Sequence, residues 1–411
     1  MKLSIIIPTR DRIKYLEESV KTALAIEDLD IEIIVSDNAS EDDTFKVLAK
    51  IKDPRFKYTN TGNRVSMRAN FENGLKESTG DYIMYFGDDD GVLPNQIPFL
   101  KSILEKEKPD VLKWPLIRYG WPEGGNPKAG GIRLKKSSVF GKINLIDSKK
   151  LTKEIFNCDM KNEEFYPAIY HGVVSRNYLE SLKTSDGQFF NCSIPDIFFG
   201  YLALLKGGRF IYCNHPFTIN GYSSASNGGA QKQIHLGKAV PDITKKFIIE
   251  NSSDKNLDVE DFGASIVAAF FLSIETARVV ANIKTNEMNY TAWFKFIIRN
   301  THKMRKDSYR KLINSLTLYA GKIGKLEELN TVIKMPTLND GKFIKLKRKI
   351  NENLSKVRSV RFLCEKNSAN TIFTAVQICD QILGSDFEEV YMKTMARNFA
   401  WTELKKRKSK I

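Results

Sequence analysis

Residues 82–90 read Tyr82-Ile83-Met84-Tyr85-Phe86-Gly87-Asp88-Asp89-Asp90, an apolar and aromatic run followed directly by three carboxylates. Such a run predicts a buried strand. The carboxylates cannot belong to the core behind it, because a buried unpaired charge is costly. Oxygen ligands at this spacing suit a hard divalent cation such as Mg²⁺ or Mn²⁺. The alternative is an acidic turn, which Asp and Gly residues also form well.

The residues before this run alternate between strand and helix patterns. Strands are predicted at 3–7, 31–36 and 56–58, and helices at 15–24 and 70–76. This β-α-β-α-β-α-β order predicts a mostly parallel α/β sheet. Such sheets bind ligands beyond the carboxyl ends of their strands, which is where the polar clusters of this chain fall. Neither G-x-G-x-x-G nor a P-loop motif occurs, which disfavours dinucleotide-binding and P-loop folds.

Four segments together resemble the family 2 glycosyltransferases, which have the GT-A fold. They are residues 5–12 (Ile-Ile-Ile-Pro-Thr-Arg-Asp-Arg), 33–42 (Ile-Ile-Val-Ser-Asp-Asn-Ala-Ser-Glu-Asp), 80–83 (Gly-Asp-Tyr-Ile) and the triple Asp. The resemblance is clear over about the first 100 residues and extends in outline to about residue 230. It implies an inverting enzyme with a nucleotide-sugar donor, but it does not specify the sugar.

The resemblance assigns nucleotide-sugar contacts to Pro8, Thr9 and Arg10, and it places Asp37 on the nucleoside base. A carboxylate can accept the N–H of a uracil ring. The alternative for Asp37 is a helix cap, but Ser40 is an equally good cap and leaves Asp37 for the ligand. Two arginines before the next helix are further candidates to pair with the diphosphate, or else ordinary surface residues. They are Arg64 and Arg68.

The triple Asp resembles the D-x-D motif of the family. By that likeness Asp90 binds the metal directly, Asp88 lies near the ribose and the metal, and Asp89 contacts the nucleotide sugar. The metal, Mn²⁺ or Mg²⁺, acts as a Lewis acid on the departing nucleoside diphosphate. His215, which follows a predicted strand, is a further candidate ligand, although a turn histidine before Pro216 explains it equally well.

An inverting transfer also needs a base for the acceptor hydroxyl. In the family this is an Asp or Glu at the start of a helix, about 100 residues after D-x-D. Asp196 fits, since it opens an apolar helix after Pro195. Its alternative role is to complement the helix dipole. Asp186 and Asp159 are weaker rivals.

The second part of the chain differs in charge. Residues 1–235 contain 32 Lys and Arg against 30 Asp and Glu, a net charge of +2, whereas residues 236–411 contain 32 against 19, a net charge of +13. We therefore predict a GT-A domain over 1–235 and a basic, mainly α-helical domain over 236–411, with helices at 259–283, 290–299, 309–320, 343–357, 370–383 and 387–404. Basic clusters at 345–349 and 405–410 suit an anionic membrane surface or an acidic glycan, or simply a solvated face.

The function predicted from these features is metal-dependent, inverting transfer of a sugar to a glycan hydroxyl, with UDP favoured as the carrier. The setting implied by the family is bacterial cell-surface polysaccharide synthesis. The alternatives are a sugar nucleotidyltransferase and a non-catalytic carbohydrate- or polyanion-binding protein. Expected partners are the nucleotide-sugar donor, a free or lipid-linked glycan acceptor and an anionic membrane surface. No specific nucleic-acid motif occurs. Oligomerisation stays open, and scattered cysteines favour a reducing cytoplasm.

Overall fold

The computed structural model describes residues 1–123, 129–184, 186–223, 234–257, 265–335, 359–385, 402, 406 and 407. Its strands are β1 (Leu3–Thr9), β2 (Ile31–Asp37), β3 (Phe56–Asn60), β4 (Tyr82–Tyr85), β5 (Gly91–Val92), β6 (Val111–Lys113), β7 (Ile117–Gly120), β8 (Gly131–Lys135), β9 (Ile143–Leu145), β10 (Gly172–Ser175), β11 (Phe210–Cys213), β12 (Thr218–Tyr222) and β13 (Ser359–Leu363). Its helices are α1 (Ile13–Leu24), α2 (Thr44–Leu48), α3 (Met67–Lys76), α4 (Ile97–Glu107), α5 (Ser148–Phe156), α6 (Arg176–Ser181), α7 (Pro195–Lys206), α8 (Asp242–Ser252), α9 (Ile266–Val280), α10 (Tyr290–Thr301), α11 (Lys306–Lys322), α12 (Leu326–Lys334) and α13 (Ile372–Leu383).

The central sheet has eight strands in the order β3-β2-β1-β4-β10-β6-β11-β9. Strands β3, β2, β1 and β4 are parallel, as the sequence predicts. Strand β10 is antiparallel to both of its neighbours, β4 and β6. Apolar residues fill β1 and β2 on both faces because helices cover the sheet on each side. The carboxyl ends of β1, β2 and β4 consequently meet along one rim, where the polar clusters lie.

Two smaller sheets extend the architecture beyond that rim. Strand β12 pairs with β5 and β7, and β13 pairs with β8 in an antiparallel ladder. Strand β5 begins directly after the triple Asp, so its pairing with β12 holds the acidic turn against a second layer. The sequence analysis found few strand signals in the second part of the chain, and β13 was not predicted.

The second part of the chain is largely helical, as predicted, with α8 to α13 among the described residues. The helices predicted at 290–299, 309–320 and 370–383 match α10, α11 and α13 within a few residues, and α9 lies inside the predicted 259–283. The helices predicted at 343–357 and 387–404 lie outside the described residues except for residue 402. The same holds for the basic cluster at 345–349 and most of the tail.

Packing crosses the predicted domain boundary at residue 235. One apolar cluster joins Ile5 and Met84 to Ile372 and Val376. A second joins residues of β1 and β4 to α9 and α10. Helix α9 packs along α7, and α13 packs against α1. The two-part division stays a prediction about function, while the hydrophobic core is shared by both parts.

Candidate functional site

Asp90 is fully buried at the centre of the acidic turn. Its Oδ2 accepts hydrogen bonds from the Gly87 amide at 2.7 Å and from the Tyr170 hydroxyl at 2.5 Å, and lies 3.1 Å from His171 Nε2. Its Oδ1 accepts from the Gly221 amide at 2.7 Å and from Asn220 at 3.3 Å. Burial alone would raise the pKa of Asp90, but His171 and the other donors lower it below its ordinary value. The carboxylate thus ties the turn to β10 and β12.

Asp88 and Asp89 share a cation supplied by the chain itself. Arg12 Nη1 lies 3.1 Å from Asp88 Oδ1, and Nη2 lies 2.7 Å from Asp89 Oδ2. Thr9 donates to Asp88 and Ser223 donates to Asp89. Burial raises the pKa of Asp88 to about 7, with Arg12 acting in the opposite direction. The predicted acidic cluster is therefore an ion-paired network with Arg12, a residue that the sequence analysis quoted but did not assign.

The predicted metal ligands do not fit a cation in this arrangement. Both oxygens of Asp90 already accept from protein donors, and Arg12 lies where a cation would neutralise Asp88 and Asp89. Among the residues that the structure describes, no group of three or more His, Cys, Asp or Glu side chains is arranged to hold a metal ion. A metal ion could bind these carboxylates only by displacing Arg12 or the groups that donate hydrogen bonds to Asp90.

His215 is a correction to the predicted ligand set. Its Nδ1 accepts from the Phe140 amide at 3.2 Å, and its Nε2 lies 3.0 Å from Gln96 Oε1. Burial lowers its pKa to about 3. These two bonds hold the neutral His215 ring among core residues instead of at the triple Asp. The histidine that does reach Asp90 is His171, directly before β10, and no sequence motif indicates this contact.

A cavity of about 440 Å³ lies beside the acidic turn at the ends of β1 and β4. Three predicted nucleotide-sugar contacts, Pro8, Thr9 and Arg10, line it together with Asp88 and Asp89. Arg12 and Asn38 also line it. Helix α8 closes one side, where Glu250 forms an ion pair with Arg10. We refer to this space as the donor-side cavity.

Asp37, Arg64 and Arg68 are not among the residues lining the donor-side cavity. Asp37 is buried and accepts from the Tyr58 hydroxyl at 2.7 Å and the Ser40 amide at 3.0 Å. The expectation that Ser40 caps α2 and frees Asp37 was wrong, because that helix begins only at Thr44 and Ser40 donates to Asp37 instead.

The two predicted diphosphate arginines are both held by carboxylates. Arg64 Nη2 lies 2.6 Å from Asp11 Oδ2. Arg68 is buried, with its Nε 2.8 Å from Asp254 Oδ2 and its Nη1 bonded to Gln188. Arg68 therefore links α3 to the turn after α8. The arginines that line the donor-side cavity are Arg10 and Arg12.

Asp196 lies in the first turn of α7, as predicted. Its Oδ1 is buried and has no hydrogen-bond partner within the described part of the chain. Burial raises the pKa of Asp196, while nearby backbone amides and the charge of Lys113 act in the opposite direction. An unbonded carboxylate oxygen with a raised proton affinity is suited to accept a proton. By contrast, the rival candidate Asp186 is exposed and bonded to Thr184, and Asp159 pairs with Lys161.

A second, larger cavity of about 850 Å³ lies on the other side of Asp196, between α7 and the strands β7, β8 and β13. Asp196, Tyr170 and Asn220 line both cavities. Trp114 and Tyr201 contribute to the wall of the larger one. Asp196 thus stands where the two spaces meet. We refer to the larger space as the acceptor-side cavity, after the role proposed below.

Residues 4–171 match the model of the family described as glycosyl transferase family 2. Over this segment the chain is similar to the family 2 glycosyltransferases. The central sheet is GT-A-like, with the parallel strands β3-β2-β1-β4 next to the antiparallel β10. The acidic turn and the loop after β1 lie inside the matched segment, whereas β10 and Asp196 lie beyond it.

Two curated relatives resemble the first part of the chain. GalNAc(5)-diNAcBac-PP-undecaprenol beta-1,3-glucosyltransferase of Campylobacter jejuni is 32% identical over 177 residues, which cover 40% of this chain and 56% of the relative. Abequosyltransferase RfbV of Salmonella typhimurium is 33% identical over 112 residues, covering 26% of this chain and 34% of the relative. This chain therefore spans only part of the length of each.

A solved structure of S. aureus TarS 1–349 in complex with UDP-GlcNAc also resembles this chain, with 13% identity and a TM-score of 0.45 over 85% of this chain and 92% of that chain. This likeness is too distant for residues to be matched. No described helix is both long and apolar enough to cross a membrane.

Proposed function

We propose that the protein is an inverting glycosyltransferase that moves a sugar from a nucleoside-diphosphate sugar to a hydroxyl of a glycan acceptor. The observation that carries the proposal is the position of Asp196, which lines both cavities and has a buried carboxylate oxygen without a hydrogen-bond partner among the described residues. A base at a junction between two substrate spaces can act on an acceptor in one and a donor in the other.

In the proposed reaction, Asp196 takes the proton of the acceptor hydroxyl as its oxygen attacks the anomeric carbon of the donor sugar. The new carbon–oxygen bond forms on one face while the bond to the diphosphate breaks on the opposite face, so the configuration inverts. The donor-side cavity receives the nucleoside diphosphate as the leaving group. Its lining arginines, Arg10 and Arg12, are paired with carboxylates in this structure, so they would stabilise the departing phosphates only by exchanging those partners for phosphate oxygens.

The names of the curated relatives favour a bacterial glycan as the acceptor, since one is a glucosyltransferase named for a saccharide on PP-undecaprenol and the other an abequosyltransferase. Cell-surface polysaccharide synthesis is the proposed setting. From the sequence we also propose that UDP is the carrier and that the protein contacts the inner face of the cell membrane. A sugar nucleotidyltransferase would instead release pyrophosphate from a nucleoside triphosphate and a sugar phosphate, and it would transfer no sugar from a nucleotide sugar in the assay below.

Metal dependence is a separate question, because the carboxylates are paired with protein groups. We expect donor binding to be measurable without added divalent cation. Calorimetry with UDP in EDTA and in Mn²⁺ tests this directly. A strict requirement for Mn²⁺ would mean that the Arg12 pairing opens when the donor binds.

The decisive experiment combines a donor screen with Asp196→Asn. UDP-, GDP-, CDP- and dTDP-sugars are ranked by thermal shift, since a ligand that binds the native state raises its melting temperature. The selected donor is then assayed for hydrolysis by water and for transfer of its sugar to added glycans. Asp196→Asn should retain donor affinity and lose about 10²–10⁴-fold in transfer rate, because the amide cannot accept the proton. Asp186→Asn, an exposed carboxylate, is the matched control. Wild-type transfer by Asp196→Asn would remove Asp196 from the mechanism.

A further inference from the structure

One wall of the acceptor-side cavity is strongly cationic. Arg118 of β7, Arg133 and Lys135 of β8 and Arg361 of β13 all line it. The alternation of each strand explains why they share a face: Ile132 and Leu134 are buried beneath β8, and Val360 and Phe362 are buried beneath β13, so the residues between them point outward. We refer to these four residues as the basic wall.

Two members of the basic wall stand directly opposite each other. Arg361 is paired with Arg133 in the antiparallel register of β13 and β8. Like charges at directly opposed positions destabilise a sheet. Arg133 also donates to the neutral hydroxyl of Ser359 at 3.0 Å, a bond that does not offset its charge. An anionic ligand bound between the two guanidinium groups would relieve this repulsion.

The same cavity also has acidic lining residues. They are Glu163 and Glu164, together with Asp196 of α7. Burial raises the pKa of Glu163, and the charge of Arg118 acts against that shift. An anion entering the cavity is therefore attracted to the basic wall and repelled by these carboxylates. This asymmetry orients an elongated ligand with its negative group at the basic wall and its neutral part at Asp196.

We propose that the basic wall is a subsite for a phosphate group of the acceptor, which places the acceptor hydroxyl at Asp196. Guanidinium groups match phosphate oxygens with paired hydrogen bonds, and several arginines around one group favour phosphate over a neutral sugar. The acceptor class is a phosphorylated glycan or polyol, in which the phosphate is either a diester within the chain or a diphosphate linking it to a lipid. This inference rests on the proposed function, because it assigns the acceptor of that same reaction.

The test compares the Arg133→Gln, Arg361→Gln double variant with wild type and with the control Lys306→Gln, Arg310→Gln. The control removes the same charge from exposed positions on α11. Calorimetry is performed with the donor-side cavity saturated by UDP, so that phosphate probes cannot bind there. The probes are a short poly(glycerol phosphate), geranyl diphosphate and, as a carboxylate control, trigalacturonate.

We expect a phosphate probe to bind wild type and the control, and the double variant to lose at least tenfold in affinity. Preference for poly(glycerol phosphate) identifies a phosphodiester acceptor, and preference for geranyl diphosphate identifies a lipid diphosphate. Equal affinity in all three proteins, or tighter binding of trigalacturonate, overturns the proposal. Absence of phosphate binding to the wild type overturns it as well.

Melting temperature separates a binding role from a structural one. Relief of the repulsion between Arg133 and Arg361 should leave the double variant at least as stable as wild type, whereas a structural role predicts a lower melting temperature. The donor hydrolysis assay separates this proposal from the broader one. A double variant that loses phosphate binding but still hydrolyses the donor supports the subsite. A wild-type protein that binds phosphate but hydrolyses no donor would reject the transferase function and leave only an anion site.

Discussion

Arg12 forms ion pairs with two consecutive carboxylates, at 3.1 Å to Asp88 and 2.7 Å to Asp89. All three side chains are largely buried, with 17% of Arg12, 5% of Asp88 and 8% of Asp89 exposed. Burial lowers the pKa of a lone guanidinium, yet the two carboxylates raise that of Arg12 above its ordinary value. The loop after β1 is therefore fastened to the acidic turn after β4 by charge.

Replacing Arg12 with Gln should destabilise the fold by about 3–5 kcal/mol, because it leaves two buried carboxylates without their cation. Urea unfolding measures the change. Arg64→Gln is the matched control, since it breaks a more exposed pair with Asp11 that is worth about 0–1 kcal/mol. Equal effects of the two variants would mean that solvent screens the Arg12 pair as well.

Asp90→Ala should destabilise the protein strongly instead of only removing a metal contact. The substitution leaves the Gly87 and Gly221 amides and the Tyr170 hydroxyl without their acceptor, and unsatisfied buried groups each cost about 1–3 kcal/mol. The measurement is thermal unfolding followed by circular dichroism, in EDTA, with Asp186→Ala as an exposed control. A native melting temperature together with lost nucleotide binding would restore Asp90 as a ligand.

The parallel strands and the position of Asp196 were predictable because their signals are local. Apolar runs define β1, β2 and β4, and Pro195 followed by Asp196 defines the start of α7. The site around them was less predictable, because its pairings join residues far apart in the chain. Nothing near His171 indicates that it meets Asp90.

The remaining predictions were wrong because more than one local arrangement suits the same residues, and the tertiary structure decides between them. Asp37 and Ser40 are both good caps, but which of them bonds to the other depends on where α2 begins. His215 follows a strand, as expected of a ligand, but it faces Gln96 and the aromatic core. Strand β13 is short and forms only where β8 offers an edge to pair with.

A chain ending at residue 235 should not fold into a stable domain. The cut removes Ile372, Val376 and their neighbours from the cluster that contains Ile5, and removes α9 from the face of α7. Burying one large apolar side chain contributes about 1.5–3 kcal/mol, so losing several exceeds a typical net stability of about 5–15 kcal/mol. Solubility and cooperative melting are the measurements. A chain ending at residue 385 keeps both described clusters and is the control expected to fold.

The raised pKa of Asp196 predicts opposite effects on activity and on stability. A base must be ionised, so the acidic limb of the transfer rate should lie at higher pH than the ordinary carboxyl value of 3.8. The folded state binds the proton of Asp196 more tightly than the unfolded chain does. Its contribution to stability is therefore fully present below the unfolded pKa and is lost as pH rises through the raised folded pKa.

Asp196→Asn removes this penalty, because the amide does not ionise. Its melting temperature should match that of wild type below the ordinary carboxyl value of 3.8 and exceed it at neutral pH, while transfer falls about 10²–10⁴-fold. Melting curves across this range, with Asp186→Asn as an exposed control, measure the difference. A variant that is less stable than wild type at pH 7 would mean that the carboxylate is held by favourable contacts as a helix-dipole partner, and the proton-accepting role would lose its physical basis.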